Sequence, residues 1–474
     1  MIKVDVVRIS KLEDYERLME IIPERYLDSD VIDRMKKYIG LNCIKILVEF
    51  PYNDRDYLST YYIHYAKKFK GYEKNCYRLH ILGSKDEHYG SLTLRPTVRG
   101  TRIGTSYLKP QILIREEAYL SLSKYVTHVM GREITNECFP WMMQETDISV
   151  CAHVSVWSIL RYFGNKFKNC ADTTMGEMIE KIHVQGGRKT PSVGLDPIEI
   201  SDLFAKYDFT PIIVFGSNDR ERLFLDEVIS YIESGIPVVG IMPQRHHAVS
   251  ILGHGKIEYE YLNDIKTAES LKIKGTNIIL HSKLIRSLYV MEDNSFPYRQ
   301  VTKDLPSKDS DVDYNLYEIS LVVVPLYKKM HLSYKEVYHR YLSLVEAANM
   351  EWETPQVVRI YITSSNSLKK FAVESTDMSE KLIDIITMLN MPKFVWCIDI
   401  AGFDNYQDQL TSGRIIIDTT CASLENQPWI LMHDSKQVIF HDLETRKNKT
   451  VKMRIRPYKI YINNLRPVKP IIER

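Results

Sequence analysis

Cys151 lies at a position where its thiol could act as a nucleophile. The run CAHVSVWSILRYFG, residues 151–164, is mainly apolar and predicts a buried helix that begins at this cysteine. The thiolate is the reactive form of cysteine, and the unpaired N–H groups and positive dipole end of a helix N-terminus stabilise it. Ser149 is the expected N-cap of the helix, and Asp147 is the alternative.

A histidine follows downstream, and after it comes a strand that ends in an acidic residue. A thiol nucleophile would need these groups, a base and a residue that orients the base. The run IPVVGIMP predicts a buried strand, and His247 opens a second strand, HAVSILGH. A third strand, SLYVMEDN, ends in Asp293 and Asn294. An imidazole can accept the thiol proton, and a carboxylate on its far nitrogen fixes the tautomer. Such groups meet only in the fold, so this order permits a Cys-His-Asp site without proving one.

The same stretch of sequence resembles a known enzyme family. A glutamine lies seven positions before the cysteine, and SGIPVV, HHAVSILGH and YVMEDNSFPY follow in that order. This pattern is similar to that of papain-like cysteine peptidases, above all the bacterial branch related to the double-glycine-leader (bacteriocin-processing) peptidases. The resemblance covers residues 138–300, about a third of the chain.

The resemblance implies a role for each member of the motif. Cys151 would be the nucleophile, His247 the base, Asp293 the group that orients His247, and Gln144 an oxyanion donor beside the Cys151 backbone N–H. One such donor typically contributes about 2.7–4 kcal/mol to transition-state stabilisation. The glutamine of the family usually lies six positions before the cysteine, so the spacing of seven in this chain departs from the pattern.

Neighbouring residues leave some of these roles open. His246 and His247 are adjacent, and adjacent side chains on a strand point to opposite faces, so only one can face a cleft. The resemblance favours His247. Either Asp293 or Asn294 could orient the imidazole, because both residue types serve in this enzyme class. The structural alternative for Cys151 is a core thiol, since cysteine is among the most buried residue types.

The sequence predicts no metal site and no cofactor. Its seven cysteines form no CxxC pair, and no HExxH motif occurs. The segment GGRKT, residues 186–190, lacks the GxxxxGK[ST] spacing of a phosphate-binding loop.

Charge and hydropathy exclude further classes of protein. With 63 basic and 61 acidic residues the net charge is +2, which gives no electrostatic case for nucleic-acid binding. The first residues, MIKVDVVRISKLEDYERL, contain no apolar signal region, and no stretch is apolar enough to span a bilayer. An odd number of cysteines without paired spacing fits a reducing compartment. These features predict a cytoplasmic protein with no membrane contact.

The length of 474 residues predicts more than one domain. Alternating helix and strand patterns predict an α+β class throughout. We expect an α+β accessory domain over 1–130, a papain-like peptidase domain over 131–301 and a second α+β accessory domain over 316–474. The polar stretch 302–315 between the last two is expected to be a linker.

These observations predict a papain-like thiol hydrolase that cleaves a peptide or isopeptide bond in a peptide or protein substrate. An acyl transferase or deamidase is the first alternative, because a thioester intermediate accepts amines as well as water. The second alternative is a catalytically inactive papain-like module that binds a partner. In either case the flanking domains would offer surfaces to a regulatory protein partner.

Overall fold

Helices and strands contribute almost equally to the structure. The computed structural model describes residues 3–97, 101–145, 147–182, 194–216, 221–262, 271–273, 276–308, 310–347, 350–421, 429–442 and 447–471. Helix accounts for 32% and strand for 33%, which confirms the predicted mixed α+β class. Across the described residues, no helix combines the length and apolar character that crossing a bilayer requires.

The helices are distributed along the whole chain. The α-helices are α1 (Leu18–Ile21), α2 (Ser29–Tyr38), α3 (Arg55–Ile63), α4 (Cys151–Lys166), α5 (Met175–Lys181), α6 (Pro197–Ala205), α7 (Glu221–Glu233), α8 (Tyr334–Ala347), α9 (Ser365–Glu374), α10 (Glu380–Met388) and α11 (Phe403–Gln407). Short 3-10 helices lie at Leu12–Arg17, Gly40–Asn42, Tyr65–Lys67, Ser84–Asp86, Pro110–Ile112, Pro243–Arg245, Tyr259–Tyr261, His281–Leu284 and Leu316–Glu318.

The strands fall into groups that follow the chain. The first group is β1 (Lys3–Arg8), β2 (Lys45–Tyr52), β3 (Cys76–Leu82), β4 (His88–Leu94), β5 (Tyr107–Leu108), β6 (Ala118–Leu120), β7 (Ser123–Val129) and β8 (Arg132–Cys138). The second is β9 (Ile212–Phe215), β10 (Val238–Met242), β11 (His247–Gly255), β12 (Leu271–Ile273), β13 (Thr276–Leu280), β14 (Ser287–Met291), β15 (Arg299–Thr302) and β16 (Leu321–Val324). The third is β17 (Gln356–Ser364), β18 (Phe394–Gly402), β19 (Leu410–Thr411), β20 (Gly413–Asp418), β21 (Trp429–His433), β22 (Gln437–Asp442), β23 (Lys447–Lys452), β24 (Tyr458–Lys459) and β25 (Arg466–Val468).

Three large sheets contain most of these strands. Sheet 1 has the order β1-β2-β3-β4-β5. Sheet 2 has the order β15-β14-β11-β10-β16-β9, with β6 paired to β11 and β25 paired to β6. Sheet 3 has the order β12-β13-β17-β18-β20-β21-β22-β23. The pairings of sheet 2 are antiparallel, and its strands β10, β11 and β14 are the buried strands that the sequence predicts.

Strand pairing crosses the boundaries that the sequence suggests. β6, from the segment 1–130, pairs with β11, and β16, from the segment 316–474, pairs with β10. β13, from the segment 131–301, pairs with β17 of the C-terminal third. The predicted division into 1–130, 131–301 and 316–474 therefore does not follow the sheets. Local patterns cannot reveal this, because they do not show which distant strands share hydrogen bonds.

Helix α4 is the central helix against sheet 2. Every residue from Ala152 to Phe163 is buried, as expected for a helix that is apolar on most sides. The helix begins at Cys151, as predicted, but its N-cap is Val150 and no side chain caps it. The expected capping roles are therefore wrong: Ser149 Oγ is buried with no hydrogen-bond partner among the described residues, and the Asp147 carboxylate accepts a hydrogen bond from Lys68 at 2.7 Å.

A buried carboxylate from helix α3 fixes α4 to the N-terminal part of the chain. Asp56 is 2% exposed, and its Oδ1 accepts hydrogen bonds from Trp157 Nε1 at 2.9 Å and from the Met175 backbone at 3.0 Å. Its Oδ2 pairs with the Arg161 guanidinium and accepts a hydrogen bond from Thr105 Oγ1 at 3.1 Å. Breaking a buried ion pair is strongly destabilising because it leaves the other charge unpaired.

The substitution Asp56→Ala is expected to lower the free energy of unfolding by about 3–5 kcal/mol, since it leaves Arg161 partly uncompensated in the core. Asp172→Ala is the matched control, because Asp172 pairs with the same guanidinium at 2.8 Å while 40% of its side chain is exposed. We expect this control to lose no more than about 1 kcal/mol. Urea unfolding followed by circular dichroism measures both losses, and equal losses would contradict the role of Asp56.

Candidate active site

Helix α4 and strand β11 bring Cys151 and His247 together. The Ser155 hydroxyl of α4 donates to the Ala248 carbonyl at 3.3 Å, and the Ser250 hydroxyl donates back to the Ser155 carbonyl at 3.0 Å. These bonds hold the helix start beside the strand start. The Cys151 side chain lies close enough to the His247 imidazole to raise its pKa, and both residues line one cleft. The structure thus juxtaposes the predicted nucleophile and base, which lie 96 positions apart in the sequence (247 minus 151).

The other side of the imidazole faces an acidic residue that the sequence analysis did not select. His247 Nε2 lies 2.8 Å from Glu292 Oε1 and 3.9 Å from Asp293 Oδ1. The hydrogen bond that orients the ring is therefore made by Glu292, and Asp293 lies just beyond hydrogen-bond distance. Because Nε2 contacts the carboxylates, Nδ1 is the ring nitrogen left for the sulfur. The sequence signal was present, since Glu292 immediately precedes the predicted residue at the end of β14.

The surroundings of His247 favour its charged form. Burial lowers the pKa of the imidazole, but the hydrogen bonds to Cys151 and Glu292 and the charges of Glu292 and Asp293 outweigh it and raise the pKa to about 11. An imidazolium beside a thiol stabilises the thiolate. The geometry therefore suits a thiolate–imidazolium pair.

Glu292 is held ionised by several donors. Tyr314 donates its hydroxyl to Glu292 Oε2 at 2.8 Å, and the backbone N–H of Asn294 donates to Oε1 at 3.3 Å. Burial raises the pKa of Glu292, but the His247 hydrogen bond and charge, with the Tyr314 and Asn294 bonds, hold it below its usual value. Tyr314 lies in the stretch 302–315 that the sequence predicted to be a linker. It is 4% exposed and belongs to the site, so the linker interpretation is wrong at this position.

Asp293 has a different environment from its neighbour. It is 2% exposed, and no hydrogen-bond donor among the described protein groups reaches either carboxylate oxygen. Burial and the charge of Glu292 raise the pKa of Asp293 to about 7, and the His247 charge opposes them only in part. Of the two adjacent carboxyl groups, Glu292 carries the charge beside the imidazole.

Gln144 and Asn294 contact each other across the cleft that contains Cys151. Gln144 Nε2 donates to Asn294 Oδ1 at 2.5 Å, and both side chains line the same cleft as the thiol. Asn294, the alternative residue for orienting His247, therefore contacts Gln144 through its side chain. The backbone carbonyl of Gln144 accepts a hydrogen bond from Arg95 Nη2 at 2.9 Å. The oxyanion role of Gln144 stays a prediction.

His246, the alternative base, follows the 3-10 helix Pro243–Arg245 and is exposed. Its backbone has φ 49° and ψ 42°, in the left-handed region, which turns the chain into β11. It lines the rim of the cleft, whereas the His247 ring lies 2.8 Å from Glu292 and its pKa is raised by Cys151. Between the adjacent histidines, the geometry therefore selects His247.

The cleft has room for an extended ligand. Its volume is about 1170 Å³, slightly above the usual range for ligand pockets. Part of its lining is apolar and consists of Val150, Leu195, Ile200, Ile241, Met242 and Pro243. A chain with apolar side chains could bury them there while a carbonyl group approaches the thiol.

One group of side chains in the described part of the chain has the geometry of a metal site. The donor atoms of His247, Glu292 and Asp293 lie within 4.8 Å of one another. Donors that share a tetrahedral zinc ion lie about 3.3 Å or more apart, since each is about 2.0–2.2 Å from the metal. The 2.8 Å separation of His247 Nε2 and Glu292 Oε1 is the distance of a direct hydrogen bond between them. We therefore interpret the group as an oriented imidazole, and the absence of a metal stays a prediction.

No protein-family model matches the sequence, and no curated protein matches it. The resemblance to papain-like peptidases therefore stays a prediction based on residues 138–300.

The relative importance of the two carboxyl groups can be measured through the reactivity of Cys151. Glu292→Gln removes the carboxylate that lies 2.8 Å from His247 Nε2, so the ring is held less firmly beside Cys151. We expect the rate of Cys151 alkylation by iodoacetamide to fall severalfold at pH 6, where an oriented imidazolium activates a thiol, and to approach the rate of the unsubstituted protein near pH 10, where a free thiol ionises without help.

Asp293→Asn is the control for this experiment, because it changes a carboxyl group that makes no hydrogen bond to the ring. In Asp293→Asn, the rate of Cys151 alkylation at pH 6 should change less than in Glu292→Gln. A larger shift for Asp293→Asn would return the orienting role to Asp293, as the sequence predicted.

Proposed function

We propose that this protein is a thiol hydrolase that cleaves peptide or isopeptide bonds through Cys151, His247 and Glu292. The observation that carries the proposal is that Cys151 and His247 lie in one cleft, where the thiol raises the pKa of the imidazole and Glu292 Oε1 lies 2.8 Å from the ring Nε2. A nucleophile, a base and a third group that orients the base form the recurring arrangement of covalent catalysis.

The surrounding fold supports a papain-like core. The nucleophile begins helix α4, which packs on β11 and β10, and the base begins β11. The orienting acid follows β14, the antiparallel neighbour of β11. A buried helix that carries the thiol and an antiparallel sheet that carries the imidazole are what the resemblance implies.

The side chains can perform the reaction in two stages. The Cys151 thiolate attacks the carbonyl carbon, and a C–S bond forms as the carbonyl becomes an oxyanion. The His247 imidazolium gives its proton to the leaving nitrogen, the C–N bond breaks, and an acyl thioester remains. Water then attacks the thioester and gives its proton to His247, which releases the carboxylic product and restores the thiolate–imidazolium pair. Glu292 keeps the ring oriented in both stages.

Backbone groups at the start of α4 would stabilise the oxyanion. None of the side chains that the structure describes caps this helix, and the Cys151 N–H lies at its start, at the positive end of the helix dipole. The Gln144 amide would supply a second donor from the same cleft.

Selective alkylation tests whether the thiol is activated. At pH 6 we expect iodoacetamide to label Cys151 at least about tenfold faster than Cys170, because burial raises the pKa of the Cys170 thiol. Cys170 is a suitable internal control since both thiols are partly exposed, whereas the remaining cysteines are buried. Peptide mass spectrometry after timed labelling measures the two rates. Equal rates would favour the inactive binding module.

Turnover tests the reaction itself. The protein is incubated with a library of proteome-derived peptides, and newly formed termini are identified by mass spectrometry. We expect cleavage by the unsubstituted protein and none by Cys151→Ala, since the thioester cannot form without the sulfur. Adding a primary amine separates the alternatives: products joined to the amine would assign acyl transfer, and acid products alone would assign hydrolysis.

A further inference from the structure

We propose that Asn294 is a positioning residue for the Gln144 amide, and that the N-terminal segment 1–130 completes the active site through Arg34 and Arg95. This inference rests on the proposed function, because it concerns the oxyanion of the same reaction. It assigns a task to the side chain of Asn294 and to segment 1–130, which the sequence had predicted to be an accessory domain.

The first observation is the way Gln144 is held. A side-chain amide has two N–H groups, and Gln144 donates one of them to Asn294 Oδ1. This bond fixes the plane of the amide and leaves the second N–H for the cleft. Arg95, which is 3% exposed, donates to the backbone carbonyls of Met143 and Gln144 at 2.8 and 2.9 Å. Gln144 is therefore fixed at both its backbone and its side chain.

The second observation is the way Asn294 is held. Arg34 Nη1, from helix α2, donates to the Asn294 carbonyl at 2.6 Å. The next residues also contact α2: the hydroxyls of Tyr38 and Ser295 lie 3.2 Å apart, and the Tyr38 ring stacks on Phe296 at a centroid distance of 5.4 Å. Helix α2 thus supports the segment that follows β14.

These contacts connect the residue that orients the His247 base with the proposed oxyanion donor Gln144. The segment 292–294 orients His247 through Glu292 and fixes Gln144 through the side chain of Asn294. Arg34 supports the position of this segment, and Arg95 supports the position of the Gln144 backbone. Both arginines belong to segment 1–130. An oxyanion donor contributes most when it is fixed before the reaction, so loss of these contacts should weaken oxyanion binding while the thiol–imidazole contact remains.

The experiment compares two probes on the full-length protein. Iodoacetamide alkylation reports the thiolate of Cys151 and forms no oxyanion. Benzyloxycarbonyl-leucinal, a peptide aldehyde, adds reversibly to the thiol, and its carbonyl oxygen occupies the oxyanion position. We expect Asn294→Ala to weaken aldehyde binding about tenfold, less than the roughly 100- to 1,000-fold effect of losing a whole oxyanion donor, and to change the alkylation rate less than about threefold.

The matched control for the N-terminal contact is a second arginine of the same segment. Arg34→Ala should weaken aldehyde binding in the same direction as Asn294→Ala. Arg8→Ala, which changes an exposed arginine of β1, should leave it unchanged. Equal effects of Arg34→Ala and Arg8→Ala would overturn the role of helix α2.

A double-substitution cycle separates positioning from a general structural effect. If Asn294 acts through Gln144, the double variant Gln144→Ala/Asn294→Ala should bind the aldehyde no more weakly than Gln144→Ala alone. Additive losses, unchanged binding in Asn294→Ala, or no aldehyde binding by the unsubstituted protein would overturn the inference. Failure of the proposed function has a different signature, the loss of selective Cys151 alkylation in the unsubstituted protein.

Discussion

The His247 imidazole lies between a sulfur and a carboxylate, and the rest of the site depends on this contact. The ring shares a cleft with Cys151, which raises its pKa, and its Nε2 lies 2.8 Å from Glu292 Oε1. Burial alone would lower the pKa of the ring, so the charged form requires both partners to remain in place. The central position of β11 meets this requirement, because β10 and β14 pair with it on either side and α4 packs across it.

The electrostatics of the site follow from placing two carboxyl groups next to each other in the interior. Two neighbouring carboxyl groups repel each other when both are charged, so the pKa of one of them is raised. Glu292 has the imidazolium, a tyrosine hydroxyl and a backbone N–H as partners, so its pKa stays below the usual value. Asp293 has no donor among the described groups, and its pKa rises to about 7. The distribution of hydrogen-bond donors thus decides which carboxyl group remains charged.

The flanking parts of the chain are joined to the site by buried polar contacts. Asp56 of α3 fixes helix α4 through Trp157 and Arg161. The C-terminal third is joined through Glu233 of α7. This carboxylate accepts a hydrogen bond from Arg359 of β17 at 2.9 Å and contacts His254 of β11 at 2.8 Å. Such buried ion pairs tolerate little displacement, since separating them leaves an unpaired charge in the core. The segments before and after the site therefore share its hydrophobic core and its sheets.

The sequence by itself predicted the local elements of this site and its candidate central pair. The apolar run after Cys151 predicts α4, the runs around His247 predict β10 and β11, and the resemblance to papain-like peptidases predicts Cys151 and His247 as the pair. The elements depend on periodicity and composition, which are local properties. The tertiary structure alone decided that Glu292 and not Asp293 contacts the ring, because the reach of adjacent side chains depends on how β14 pairs with β11. It also decided the contributions of Tyr314 and Arg34, which approach from distant parts of the chain, and no local pattern encodes which distant groups come together.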